Sequence, residues 1–195
     1  MGEICNFLAN AVLEAGFCAY ELAIDVAKPR SVVSIGVSDY LVLERTTQSV
    51  VHLFDSDGDL VADSKRTVVS ASNLTHGLAL HNGYIYASSD TTVHRWSYLS
   101  EDFATVGVQE IVVDNINADG HGGAPQGHRT LTLVFDAIGR LYISVGSNKN
   151  VDSDSHRSRI RRFDIYDNTT VTFPIDFSDG RDFCRWTSQR SGTSV

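Results

Sequence analysis

Polar and apolar residues alternate through three stretches of the chain, and each stretch repeats the same order of events. In the third, Thr130-Leu-Thr-Leu-Val-Phe135 alternates, the chain turns across Asp136 to Gly139, and Leu141-Tyr-Ile-Ser-Val145 alternates again. A period of two puts successive side chains on opposite faces of a sheet. The pattern therefore predicts a β-hairpin with Leu131 to Phe135 as its inner strand and Leu141 to Val145 as its partner. The open ends of this hairpin carry Gly127, His128 and Arg129 on one strand and Ser147, Asn148 and Asn150 on the other. Both open ends lie on one side, so a polar cluster is expected at one edge of the sheet.

The same unit occurs twice upstream. Pro29-Arg30-Ser-Val-Val-Ser-Ile-Gly36 leads to Tyr40–Leu43 and then to Ser49-Val-Val-His-Leu-Phe-Asp55. Thr75-His76-Gly-Leu-Ala-Leu-His-Asn-Gly83 leads to Tyr84–Ser88 and then to Thr92–Ser97, and the third copy ends in Arg159-Ile-Arg-Arg-Phe163. The copies recur about every 45 to 50 residues, the range of a four-stranded propeller blade. The predicted fold class is all-β and antiparallel, a partial β-propeller of about three blades. First strands of propeller blades surround one axis, so Arg30, His76, His128 and Arg129 are expected on one face, rimmed by loops holding Arg45, Asp90, Asn148 and Asn150. Before the repeats, Phe7, Leu8, Ala11 and Val12 fit one face of a short helix and Phe17 to Ile24 fits a strand. No helical period returns after that.

Composition narrows the partners. A chain of 195 residues with 42% hydrophobic content is long enough for one domain with a core. Its formal charge of −8 argues against a nucleic-acid partner, because binding a polyanion needs a basic face. No apolar run approaches the roughly 20 residues of a membrane span. The first residues lack the basic and long apolar regions of a secretion signal, whereas Asn73-Leu-Thr75 and Asn168-Thr-Thr170 are glycosylation triplets that suit a secreted protein. Cys5, Cys18 and Cys184 have no metal or redox spacing. Asp55-Ser-Asp-Gly-Asp59 imitates the start of a calcium loop, but Arg66 stands where the bidentate glutamate would be, so a turn with Gly58 in the left-handed region is expected instead. A solvated loop is expected for Asp152, Asp154 and His156, and a solvated strand face for Arg157, Arg159, Arg161 and Arg162.

The string from His128 through Asn148 and Asn150 to Arg159-Ile-Arg-Arg-Phe163 resembles the soluble quinoprotein glucose and sorbosone dehydrogenases, especially the branch with sorbosone and fungal pyranose dehydrogenases. Ala15-Gly-Phe17, Ala27–Ser31, Thr75–Ala79 and Gly83–Tyr86 are similar to the family's opening and second blade. The resemblance implies that residues 13–180 form half of a six-bladed propeller, preceded by an extension over 1–12. It implies a secreted protein that holds pyrroloquinoline quinone and calcium over its channel and oxidises a small-molecule sugar. His128 occupies the position of the general base, a role suited to an imidazole with an ordinary pKa of about 6.5. His76, Arg129, Asn148 and Asn150 are the expected cofactor contacts, and no residue of this chain is expected to ligate a metal. Ser147 stands where the glucose-oxidising branch has an acidic residue that orients the histidine.

Residues 181–195 do not continue the resemblance, which expects a further strand and Ala-Asp-Gly-Leu-Arg-Asn. A permitted back-translation of Phe183–Gly192, read one nucleotide later, gives Ser-Ala-Asp-Gly-Leu-Arg-Asn-Glu-Val. The tail is accordingly expected to be frameshifted or mis-spliced, and the chain as written to be inactive. A non-catalytic propeller module and a calcium-dependent lactonase-like propeller are the competing readings. The lactonase is disfavoured because no Glu/Asp/Asn constellation marks the strand mouths.

Overall fold

The computed structural model describes residues 24–59, 61–100, 103–116, 131–151 and 157–165, together with Glu14 and Gly127. The expected helix and strand before residue 24, all three cysteines, His128 and Arg129, the loop Asp152–His156, the Asn168 triplet and the tail from 181 lie outside the described residues. No helix occurs among the described residues, and none offers a membrane-spanning helix.

Eleven strands form three antiparallel sheets. The first contains β1 (Pro29–Gly36), β2 (Asp39–Glu44), β3 (Ser49–Phe54) and β4 (Ser64–Ser70) in that spatial order. The second contains β5 (Leu78–His81), β6 (Tyr84–Ser88), β7 (Val93–Ser97) and β8 (Glu110–Val113). The third orders β9 (Leu133–Phe135), β10 (Leu141–Val145) and β11 (Arg159–Phe163). Every neighbour in a sheet is its neighbour in sequence, as an up-and-down blade requires. The first strands share an axis: β5 packs between β1 and β9, and an open cavity of about 550 Å³ is lined by Val33 of β1, Leu78 and Leu80 of β5, and Leu133 and Phe135 of β9. These are three consecutive blades of a β-propeller.

Blade-to-blade packing follows from the alternation. Leu41, Leu43 and Val50 of the first blade bury against Leu78, Ile85, Ala87 and Trp96 of the second. Tyr86, Val93 and Val113 of the second meet Leu131, Leu133, Leu141 and Ile143 of the third. Full burial of each leucine or isoleucine contributes about 1.5–3 kcal/mol, so the two apolar seams carry most of the cohesion.

The third blade departs from the expectation in two places. Its inner strand begins at Leu133 rather than Leu131, because the Thr132 N–H donates to the Ser144 hydroxyl (3.0 Å) in place of a backbone carbonyl. The Leu131 carbonyl is also withdrawn from its own sheet, since it accepts the Ser88 hydroxyl of the neighbouring blade (2.8 Å). The arginine-rich strand is not simply a solvated face. Arg161 is buried, because it pairs in register with buried Ile143 and, two residues from Phe163, shares that residue's packed face. Arg162 lies on the other face, 3.9 Å from Asp164.

Candidate functional site

Antiparallel pairing places the starts of β1, β5 and β9 at one end of the blades, with the β2–β3, β6–β7 and β10–β11 loops around them. This end is the upper face. Arg30 is the second residue of β1, Arg45 opens the β2–β3 loop, and His76 stands two residues before β5. The structure brings them together: the Arg30 guanidinium donates to His76 Nδ1 at 3.5 Å, although 46 residues separate the two in sequence.

His76 is half-buried, and its pKa lies below the ordinary imidazole value. Burial is the largest cause, followed by the positive charges of Arg30 and Arg45. Accepting at Nδ1 leaves the proton of the neutral ring on Nε2, which then serves as a donor. Neither Arg30 nor Arg45 forms an ion pair with a carboxylate among the described residues. The carboxylate nearest in sequence, Glu44, is consumed elsewhere: it accepts the Ala27 N–H (2.9 Å), the Thr47 hydroxyl (2.7 Å) and Lys65 Nζ (3.1 Å). The upper face thus presents two guanidiniums and a neutral imidazole to whatever lies above it. That donor set suits an anionic, planar, carboxylate-bearing ligand.

A buried clamp fixes this face across the seam between the second and third blades. Ser88, fully buried, accepts the Gly77 N–H (2.9 Å) and donates to the Leu131 carbonyl (2.8 Å). A Cβ on Gly77 would run into the Leu131 carbonyl oxygen, so only glycine permits the approach. His76 adjoins one side of the clamp in sequence, and residues 128–130 adjoin the other. Gly127 is equally constrained, because a Cβ there would strike the Asn148 carbonyl.

Of the residues expected from sequence, His76 occupies the upper face with Arg30 and Arg45. Asn148 and Asn150 are exposed in the β10–β11 loop, with the Asn148 backbone against Gly127. His128 and Arg129 are outside the described residues, which end at Gly127 on one side and resume at Leu131 on the other. Arg45 and Asp90 do rim the upper face, on a groove of about 540 Å³ that also includes Gln48, Thr75 and His94. His94 is buried, its pKa depressed by that burial, and its Nδ1 accepts from the Gln109 side chain (3.0 Å).

The calcium-loop lookalike lies at the opposite, lower end. The carboxylates of Asp55, Asp57 and Asp59 lie within 4.8 Å of one another, but they accept the backbone N–H groups of residues 57, 58, 59 and 61. Gly58 has φ of +85°, as the turn reading requires.

Comparison with known proteins completes the picture. The family model described as TrAA12-like matches residues 11–187. No curated protein matches the chain. Among solved structures, the calcium structure of Trichoderma reesei carbohydrate-active enzymes family AA12 is similar at 28% identity and a TM-score of 0.61, over 78% of this chain and 39% of that one. The holo form of the pyranose dehydrogenase PQQ domain from Coprinopsis cinerea shares the fold at 22% identity and a TM-score of 0.61, over 74% of this chain and 35% of that one. The PQQ-bound aldose sugar dehydrogenase from Streptomyces coelicolor does so at 17% identity and 0.52, over 73% and 46%. The chain therefore spans less than half the length of each of these structures.

Proposed function

Because this chain belongs to the TrAA12-like family, we propose that its upper face contributes to the cradle of pyrroloquinoline quinone in a sugar dehydrogenase. The observation that carries the reading is the convergence of Arg30 and Arg45 on His76, with neither guanidinium in an ion pair with a carboxylate among the described residues. When bound, the quinone supplies a two-electron acceptor for oxidation of a sugar hydroxyl. Arg30 and Arg45 would hold its carboxylates, and the Nε2–H of neutral His76 would donate to an oxygen of the same ligand. Calcium accompanies the cofactor in this reading, with no residue of this chain assigned to it.

His128 is the proposed base that takes the hydroxyl proton, and Arg129, Asn148 and Asn150 are further cofactor contacts. The support is positional. Gly127 is seated on the Asn148 carbonyl and Leu131 on Ser88, so both flanks of the intervening residues are tied to the face that bears the cationic cluster. Mixing the protein with quinone and calcium, then following dye reduction with glucose and other aldoses, tests the activity. In a version extended through the remaining blades, His128→Ala should lower turnover about a hundredfold or more, while unchanged turnover would remove His128 from the role. Quinone binding followed by absorbance tests the cradle separately, since it requires no turnover.

A further inference from the structure

We propose that Asn73 is an N-glycosylation site. The triplet Asn73-Leu74-Thr75 forms the link from β4 to β5 on the upper face. Asn73 is exposed at φ of +64°, its backbone N–H donates to the Gln48 side chain (2.8 Å), and its side-chain amide makes no hydrogen bond among the described residues. Leu74 is fully buried beside it and anchors the turn, which holds the amide outward.

The left-handed backbone accounts for asparagine at 73, because asparagine tolerates that region better than most residues. It does not account for threonine at 75. Thr75 is only 9% exposed, and its Oγ1 has no hydrogen-bond partner among the described residues. Its backbone is already tied to the Ser88 carbonyl (3.0 Å). Valine has the same shape and would fill the position without burying an unpaired hydroxyl. Nothing among the described residues uses the Thr75 hydroxyl, whereas an acceptor triplet requires a hydroxyl two residues after the asparagine.

In the reaction, Asn73 Nδ2 forms a bond to the anomeric carbon of an oligosaccharide carried on a lipid diphosphate. The bond from that carbon to the diphosphate oxygen breaks, the lipid diphosphate leaves, and the displaced amide proton passes to a base of the transferring enzyme. Burial of Leu74 and Thr75 requires the transfer to precede folding. The glycan would then be rooted at the rim of the groove that holds Gln48, Thr75 and His94, and the site places the chain in a secretory compartment.

The test is to pass the full chain, behind a cleavable secretion leader, through microsomes and through a yeast host. Peptide mass spectrometry after endoglycosidase treatment should find a sugar remnant on Asn73. Asn73→Gln and Thr75→Val should each abolish it, and Thr75→Ser should retain it. In protein made in bacteria, Thr75→Val should melt at the wild-type temperature or above. An unmodified Asn73 in the wild-type chain would overturn the proposal. So would a lowered melting temperature for Thr75→Val, since the hydroxyl would then have a structural use. Neither readout involves the quinone, so their failure leaves the cofactor reading untouched.

Discussion

The two ends of the same three blades treat charge in opposite ways. At the lower end, carboxylates are consumed by the chain itself. Asp136 accepts the N–H groups of Ile138 (3.1 Å) and Arg140 (2.9 Å), the Arg140 guanidinium (2.6 Å) and the Tyr142 hydroxyl (3.2 Å). Asp63 accepts both donors of Ser56, and Asp39 meets buried His52, whose other nitrogen accepts from Arg66. At the upper end, Arg30 and Arg45 converge on an imidazole and, although Asp90 shares the rim with Arg45, form no ion pair with a carboxylate among the described residues. The lower charges build turns, as Asp55, Asp57 and Asp59 do by accepting the backbone N–H groups of their own loop. The upper cations touch His76 but form no ion pair with a carboxylate among the described residues, and the proposed ligand reading rests on that difference.

The largest effect should come from breaking the clamp beneath the upper face. Gly77→Ala drives a methyl into a backbone carbonyl that cannot retreat, at about 3 kcal/mol or more. Ser88→Ala leaves the Gly77 N–H and Leu131 carbonyl unpaired in the core, costing about 1–3 kcal/mol. Chemical denaturation of both variants checks the order. If Gly77→Ala proves as stable as wild type, the second and third blades do not meet as described.

Asp136→Ala should lower the melting temperature by less, and its effect should depend on pH. Burial alone would raise the Asp136 pKa, but the Arg140 backbone and guanidinium, the Ile138 N–H and Tyr142 together hold it down at about 2. A carboxyl depressed on folding stabilises above its unfolded pKa of about 3.9 and loses that contribution as pH falls towards 2. Wild type and Asp136→Ala should therefore converge in melting temperature across that window, and a constant gap would contradict the assignment.

The upper cluster should behave in the opposite way, with little effect on stability. Arg30→Ala should change unfolding free energy by no more than about 0.5 kcal/mol. By NMR titration it should raise the His76 pKa, because one of the two charges that depress it is gone. Burial also holds the His94 pKa down. Stability from two depressed imidazoles is present above about pH 6.5 and lost as pH falls below it. The fall in melting temperature between pH 7 and 5 should flatten in a His76→Gln, His94→Gln double variant, and an unchanged slope would place the titrating groups elsewhere.

The strands are legible in the sequence because their determinants are local. Alternation and Gly-containing turns locate β1 with β2, β6, β10 and β11, and the repeat alone aligns Arg30 with His76. The fourth strands are harder: Ser64–Ser70 is exposed on alternate positions, Glu110–Val113 exposes both Glu110 and Ile111, and both lie at blade edges, so neither carries a clear one-sided apolar signal. The Ser88 clamp cannot be read at all, since a serine at a strand end gains meaning only from the carbonyl of another blade. Arg161 misleads for a related reason. Its alternation with Phe163 is present in the sequence, but the density of arginine around it points to solvent. At the site, the repeat names the residues of the face, whereas the lack of an ion pair to Arg30 or Arg45 among the described residues requires three dimensions.

The most direct measurement is a titration of the protein with pyrroloquinoline quinone in the presence of calcium, followed by absorbance, for three proteins. Wild type should bind. The Arg30→Ala, Arg45→Ala double variant should bind at least about tenfold more weakly, since a hydrogen bond to a charged group is worth about 1.5–3 kcal/mol. The Asp55→Asn, Asp57→Asn variant, altered only at the lower end, should bind as wild type does. Equal affinity for the two variants, or no binding by wild type, would contradict the account.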